Sequence, residues 1–324
     1  MVPPCYIMRD GQYPAMRILT YIHTFNDAEV IDRALQAILG QTYTVPEILL
    51  VDNGSTDRTL DRSFPEQVTI IRHRTNLGTS GAVATGLQYA LAKQYDWIWV
   101  LDADSQPRQD ALEKLVDLYT SSDPETKSTI GVLSCSQLLA PSPTLYRGRR
   151  LTPGGMRRPK IDGSQQYCEC DSTIWSGSLF NLQAVRAVGL PRYGVDYWED
   201  LSLDYGDVEY IYRIKRAGYY VFVHLWSIID HPVGTAVQAS LCGLQCVSTN
   251  HSPGRRYLFC RNMVYFWLYI HSDRQLVSVC LYMAARLLIN MLKISIMEDT
   301  PLKKIEACLC GVWDGLRKRI HQRF

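Results

Sequence analysis

Asp102 and Asp104 stand two positions apart at the end of an apolar run, 97–101, in the stretch D-W-I-W-V-L-D-A-D-S-Q-P. A buried strand that delivers two carboxylates to its exit suits a hard divalent cation or an acid–base pair. Mg²⁺ or Mn²⁺ held by a few carboxylates keeps positions open for phosphate oxygens and acts as a Lewis acid on a departing phosphate. Further along, I-I-D-H-P-V-G (228–234) offers His231. An imidazole beside two carboxylates would complete a metal site and lean slightly toward Mn²⁺. Asp207, in D-Y-G-D-V-E-Y-I-Y-R, opens a helical pattern. There it can be a first-turn acid that satisfies the helix dipole, or a general base facing a pocket.

Two further motifs follow strand-like runs. V-D-N-G-S-T-D (51–57) places Asp52 before a glycine turn, an arrangement that can hold a ribose or a base edge, or simply cap the next helix. R-T-N-L-G-T-S-G-A (74–82) brings Arg74, Asn76, Gly78 and Gly81 to the start of a helix. Glycines there let the backbone approach a ligand, and helix-terminal N–H groups favour phosphate; tight strand–helix packing explains them nearly as well. The spacing matches neither G-x-G-x-x-G nor the P-loop.

The elements that position these residues alternate. Strands are expected at 17–23, 47–51, Val68–Arg72, 97–101 and 130–137, with helices at 27–39, 80–94 and 110–120. Such alternation predicts an α/β fold with a mostly parallel, doubly wound sheet, whose ligands sit beyond the carboxyl ends of the strands. The candidate residues lie just there. Residues 140–165, rich in Pro, Gly and Arg, read as a mobile loop. A helix at 206–218 stops at Gly218, a strand follows at 219–224, and from 252 onward the pattern is helical and amphipathic.

The chain has 324 residues and a formal net charge of +2, which gives no reason to expect a nucleic-acid partner. None of its 10 cysteines forms a C-x-x-C pair, so a zinc ribbon is not expected. Residues 1–14 are polar and do not read as a signal peptide, so reduced thiols and a cytoplasmic location are expected. Leu276–Met297 is apolar but interrupted by Arg286 and Lys293, poor for a spanning helix. With the basic residues around it, the region 265–324 suits peripheral contact with the inner face of a plasma membrane, or packing on the body or in a homodimer.

Taken in order, these motifs, together with T-Y-I-H-T-F-N (20–26), W-S-G-S-L-F (175–180) and R-R-Y-L-F-C-R-N (255–262), resemble family-2 glycosyltransferases of the GT-A, Rossmann-like fold. D-Y-G-D-V-E-Y and D-H-P-V-G carry a finer likeness to rhamnosyltransferases and galactofuranosyltransferases of bacterial surface polysaccharides. The resemblance implies a UDP- or dTDP-linked sugar donor, Mn²⁺ or Mg²⁺, and a single inverting displacement by a hydroxyl of a cell-surface or lipid-linked glycan. It implies that Thr24, Asn26 and Asp52 hold the nucleoside and that Arg74, Asn76, Gly78 and Gly81 serve the donor. Asp104 and His231 would ligate the metal, with Asp102 touching ribose or metal, Ser176 and Gly177 lining the sugar pocket, and Asp207 as base. Relatives often carry Glu-Asp where this chain has Gly206-Asp207, so Glu199-Asp200 competes for that role.

The expected organisation is a glycosyltransferase domain at 1–251, with a nucleotide half near 17–137 and an acceptor half near 166–251, followed by a helical C-terminal appendage at 252–324. Two other functions bear on the same residues. A sugar nucleotidyltransferase would carry a basic, glycine-rich loop after the first strand, where this chain has H-T-F-N-D. A non-catalytic nucleotide-sugar-binding subunit would have no need of Asp102, Asp104, Asp207 and His231 together.

Overall fold

The apolar runs become the centre of one sheet. The computed structural model describes residues 16–140, 145–192, 204–232, 237–241 and 244–319. The first half contains β1 (Ile18–Thr24), α1 (Ile31–Leu39), β2 (Ile48–Asp52), β3 (Val68–Arg72), α2 (Gly78–Ala92) and β4 (Trp97–Asp102). Then come β5 (Gln106–Pro107), α3 (Ala111–Ser121), α4 (Pro124–Thr129), β6 (Ile130–Ala140), β7 (Leu145–Tyr146), β8 (Arg150–Thr152) and β9 (Gly155–Arg157). The second half holds β10 (Tyr167–Glu169), β11 (Ser178–Asn181), α5 (Leu182–Val188), α6 (Gly206–Arg216), β12 (Tyr220–Pro232), β13 (Val237–Leu241) and β14 (Leu244–Ser248). The chain closes on α7 (Pro253–Tyr265), a π-helical segment (Phe266–Ile270), α8 (Leu276–Met297) and α9 (Pro301–Leu316).

The main sheet runs β10-β12-β6-β11-β4-β1-β2-β3. Strands β3, β2, β1 and β4 are mutually parallel, and so are β6 and β12. Strand β11 lies antiparallel between these two blocks. Helices cover both faces, which is why β2 and β4 are apolar along nearly their whole length. On one face Ile31, Ile38 and Leu115 of α1 and α3 pack on Ile22, Leu50 and Trp99. On the other, α2, α5 and α6 bring Leu87, Val185 and Ile214 against Tyr21, Val51 and Val100. A Cβ on Gly86 would stand 2.4 Å from the Tyr21 ring, so that glycine sets how closely α2 sits on β1.

Two expectations are corrected. Residues 145–165 are not a featureless mobile loop. Strands β8 and β9 pair across Pro153–Gly154, and Leu151 and Met156 pack into a third core. Polar and basic residues outnumber apolar ones there, so the two inward positions were masked. The strand expected to end at 224 continues to Pro232 through a bulge between His224 and Ile228. His224 Nδ1 accepts the N–H groups of Trp226 and Ser227, at 3.1 and 3.0 Å, and fastens the bulge. A bulge breaks the period-two pattern, which hides the continuation from sequence reading.

The third core joins Tyr205 and Tyr212 to Met263, Phe266, Trp267, Val279 and Met283. The start of α6 and the C-terminal helices therefore share one interior. Within the tail, α7 and α9 approach almost backbone to backbone. A Cβ on Gly311 would lie 2.3 Å from the Tyr257 carbonyl oxygen. Buried Glu298 pairs with Arg256, and with Lys304 at 3.1 Å.

Candidate active site

Sheet register brings the first residues together. Thr24 pairs with Asp52, and His23 with Asp102, so β1, β2 and β4 end at one level. The chain after Asp104 then turns back as β5 and pairs with β12, Gln106 opposite Asp230 and Pro107 opposite Ile229. That short pairing delivers His231 to the Asp-Ala-Asp turn.

Asp102, Asp104 and His231 each offer a ligand atom, and these atoms all lie within 4.8 Å of one another. His231 Nε2 is 3.8 Å from Asp102 Oδ2, and Nδ1 is 3.4 Å from Asp104 Oδ1. Asp102 Oδ1 is buried without a hydrogen-bond partner, and His23 Nε2 stands 3.5 Å from it. An orphaned carboxylate oxygen beside a second carboxylate and an imidazole fits an oxygen-preferring divalent cation. Burial alone would lower the His231 pKa. Its bond to Asp104 and the charges of Asp102 and Asp104 outweigh that and raise it.

A hydroxyl chain holds this set in place. The Asp102 N–H donates to Ser176 Oγ (3.1 Å), which lies 2.7 Å from Ser105 Oγ, which in turn lies 2.6 Å from His231 Nδ1. A partner on one ring nitrogen fixes the imidazole and leaves the other for a ligand. Gly177, at φ +81°, donates its N–H to Val100 and accepts from Cys135, so both peptide groups serve the sheet.

Asp207 sits in the first turn of α6, after Asp204 and Tyr205 in the left-handed region (φ 53° and 64°). Such a turn is strained for tyrosine and persists where surroundings fix it. Tyr205 is clamped between Phe259 and Phe266, each ring centroid 5.7 Å away. Arg255 of α7 grips Asp204 at 3.3 and 3.4 Å, and Asn262 donates to its carbonyl at 2.9 Å. Protein crowds the Asp207 carboxyl, and that desolvation, with smaller contributions from the charges of Asp204 and Asp102, pushes it up to about 7. A carboxylate so raised is matched to taking a proton near neutral pH.

The remaining residues form a cradle at the same edge. Thr24 Oγ1 donates to Asp27 Oδ2 (3.0 Å). Asn26, at φ 60°, accepts the Thr56 N–H through Oδ1 (2.8 Å). Fully buried Asp52 accepts from the Ser55 N–H at 3.1 Å, and its Oδ2 faces Arg72 Nε at 3.2 Å. Asn53 donates to Asn76 Oδ1 (2.8 Å) and to the Gly78 carbonyl (3.1 Å), tying the second loop to the start of α2. Arg74 is exposed on that loop, and Gly81 is buried within α2. Glu199 and Asp200 lie outside the described residues, as do Val233 and Gly234. Sequence reasoning missed His23, Ser105, Asn53 and Asp204. Only the register places the first beside Asp102, whereas Ser105, directly after the acid pair, was a visible signal.

The family profile described as "Glycosyl transferase family 2" matches residues 20–126. Galactofuranosyltransferase GlfT1 of Mycolicibacterium smegmatis is 31% identical over 225 residues, 67% of this chain and 72% of that protein. Its Mycobacterium tuberculosis (strain ATCC 25618 / H37Rv) counterpart is 26% identical over 255 residues, 76% of this chain and 81% of that one. Among solved structures, GalNAc-T7 with UDP, GalNAc and Mn²⁺ superposes with a TM-score of 0.57 at 16% identity, covering 78% of this chain and 48% of the other. At that identity the likeness speaks for the fold.

Proposed function

The chain belongs to glycosyltransferase family 2, and on that premise we propose that it transfers a sugar, with inversion, from a nucleoside-diphosphate donor to a hydroxyl of a lipid-linked or cell-surface glycan. The observation that carries this reading is the meeting of Asp102, Asp104 and His231 within 4.8 Å, with a raised carboxyl, Asp207, close enough to feel the Asp102 charge. Likeness to proteins named galactofuranosyltransferase favours galactofuranose as the sugar, ahead of rhamnose.

Asp102, Asp104 and His231 would hold Mn²⁺ or Mg²⁺, which when bound neutralises the diphosphate as it leaves. Asp52, with the Thr24–Asn26 loop, receives the nucleoside, a UDP or dTDP moiety. Exposed Arg74 serves the phosphates beside the start of α2, where Asn53 and Asn76 hold the Leu77 and Gly78 N–H groups and Gly81 is buried within the helix. Asn76 holds that loop, and Ser176 with Gly177 forms the wall behind the acid pair. Asp207 accepts the proton of the acceptor hydroxyl, and a positioned carboxylate contributes about 10²–10⁴-fold. Fixing the donor by its phosphates orients the anomeric carbon before attack.

The test is a donor-hydrolysis screen with UDP-galactofuranose, dTDP-rhamnose and UDP-pyranoses, each with Mn²⁺, Mg²⁺ or EDTA. Metal-dependent release of one nucleoside diphosphate, lost in Asp104→Asn, is expected. Failure of every nucleotide sugar both to be turned over and to bind by calorimetry would overturn the reading.

A further inference from the structure

Helix α8 has 22 residues and contains an 18-residue stretch of mean hydropathy 1.6, long and apolar enough to cross a bilayer. Its inner face is already taken. Val279, Met283 and Ile294 are buried in protein, and Tyr282 covers Gly155 of the β8–β9 hairpin. These contacts, near both ends of the helix, favour a helix lying against the body over one standing apart from it across a membrane. Its outer face is bare: Val277 is 74% exposed, Leu281 67%, Leu288 60% and Ile296 58%. On a 100° wheel these positions form one arc with no charged residue, and the charged residues nearest to it, Lys293 and then Arg286, stand clear of its edge. Helix α9, which packs against α8 through Ile294 and Cys308, also exposes apolar side chains, Leu302 (82%), Leu309 and Trp313, with Lys303 and Glu306 exposed among them.

The rim of this surface is basic and aromatic. The Arg317 guanidinium lies 4.0 Å over the Trp313 ring, and Lys318 Nζ 4.5 Å over Tyr269. Arg319 follows directly, and Arg274 lines a depression with Tyr269 and Leu276 at the start of α8. Cations stacked on amphipathic rings beside an apolar face can reach phosphate headgroups while the face enters the acyl boundary. Tyr205, two residues before Asp207, shares the third core with Val279 and Met283 of α8, so this helix is packed beside the start of α6.

We propose that the outer faces of α8 and α9 dock the protein in plane on a bilayer with anionic headgroups. This inference stands on the surface itself and does not depend on the sugar-transfer reading. Flotation of the full chain tests it, with vesicles of phosphatidylcholine alone or with phosphatidylglycerol, beside Leu281→Glu/Leu288→Glu and Arg317→Glu/Lys318→Glu variants. The substituted side chains are all exposed, so the fold should hold, checked by circular dichroism. Binding to the phosphatidylglycerol vesicles is expected, weakened by salt. The leucine variant should stay unbound, and the charge reversal should lose about tenfold or more. Donor hydrolysis in solution should be unchanged in both variants, which separates docking from catalysis. A wild type that ignores both vesicle types overturns the proposal. So does a wild-type dimer that the leucine variant splits into monomers without altering flotation, since the face would then belong to a second copy.

Discussion

The raised Asp207 carboxyl sets an expectation for how turnover depends on pH. Only its ionised form accepts a proton, so with the carboxyl raised to about 7, turnover should rise with pH through that region and level off above it. A cation at Asp102 offsets one of the charges that raise it, so the inflection should lie lower in the metal-loaded enzyme. Asp207→Asn should cut turnover by about 10²–10⁴-fold. The same change should raise Tm at pH 8. The folded-state pKa lies above the unfolded one, so this crowded carboxyl costs the fold stability that grows from about 4 and is complete above about 7, and the gain should vanish as pH falls toward 4. A binding metal must displace the proton that Asp102 and Asp104 favour on His231, so Mn²⁺ affinity should drop on acidification. Ser105→Ala should weaken Mn²⁺ binding by about 10–100-fold in calorimetry, because the imidazole loses its orienting hydroxyl. An unchanged affinity would reduce Ser105 to a packing residue. The acids of this site were legible in the sequence because their types announce their chemistry. His23 and Asn53 were not, because a strand-end histidine and an amide take their meaning from what stands opposite them; Ser105 was visible beside the acids, but its partner His231 was not.

At the scale of elements, the bulge in β12 makes a pH prediction of its own. His224 can accept the Trp226 and Ser227 N–H groups only when its Nδ1 is unprotonated. Burial, and then the charge of Lys114, push its pKa down to about 4. The unfolded chain binds that proton near 6.5, so this contribution is full above 6.5 and lost as pH falls toward 4. Thermal melts across that window should show a decline that His224→Asn shrinks. The central strands were readable because a strand covered on both faces must be apolar throughout. Strand β12 was readable only to His224, where the bulge resets the alternation. The β8–β9 hairpin escaped because each of its strands offers a single inward apolar side chain, Leu151 or Met156. Helix α1 was expected four residues early; Asp27 instead accepts from Thr24 and Phe25 and keeps residues 27–30 out of the helix.

For the whole molecule, the boundary after 251 is where composition changes but not where packing ends. Tyr205 and Tyr212 need Phe266, Trp267 and Val279 around them, so a chain ending at 251 should lose cooperative melting instead of leaving a folded domain. Gly311→Ala should lower stability by about 1–3 kcal/mol, because the added methyl meets the Tyr257 carbonyl. The pairing of β5 with β12 has a kinetic corollary. Ser105 and His231 are 126 positions apart in sequence, so the third proposed ligand arrives only when a long loop closes in correct register. A nascent chain that has folded its first four strands already owns Asp102 and Asp104, yet it should bind Mn²⁺ poorly. Cation uptake during refolding should therefore lag the appearance of secondary structure and serve as a clock for the last strand to join the sheet.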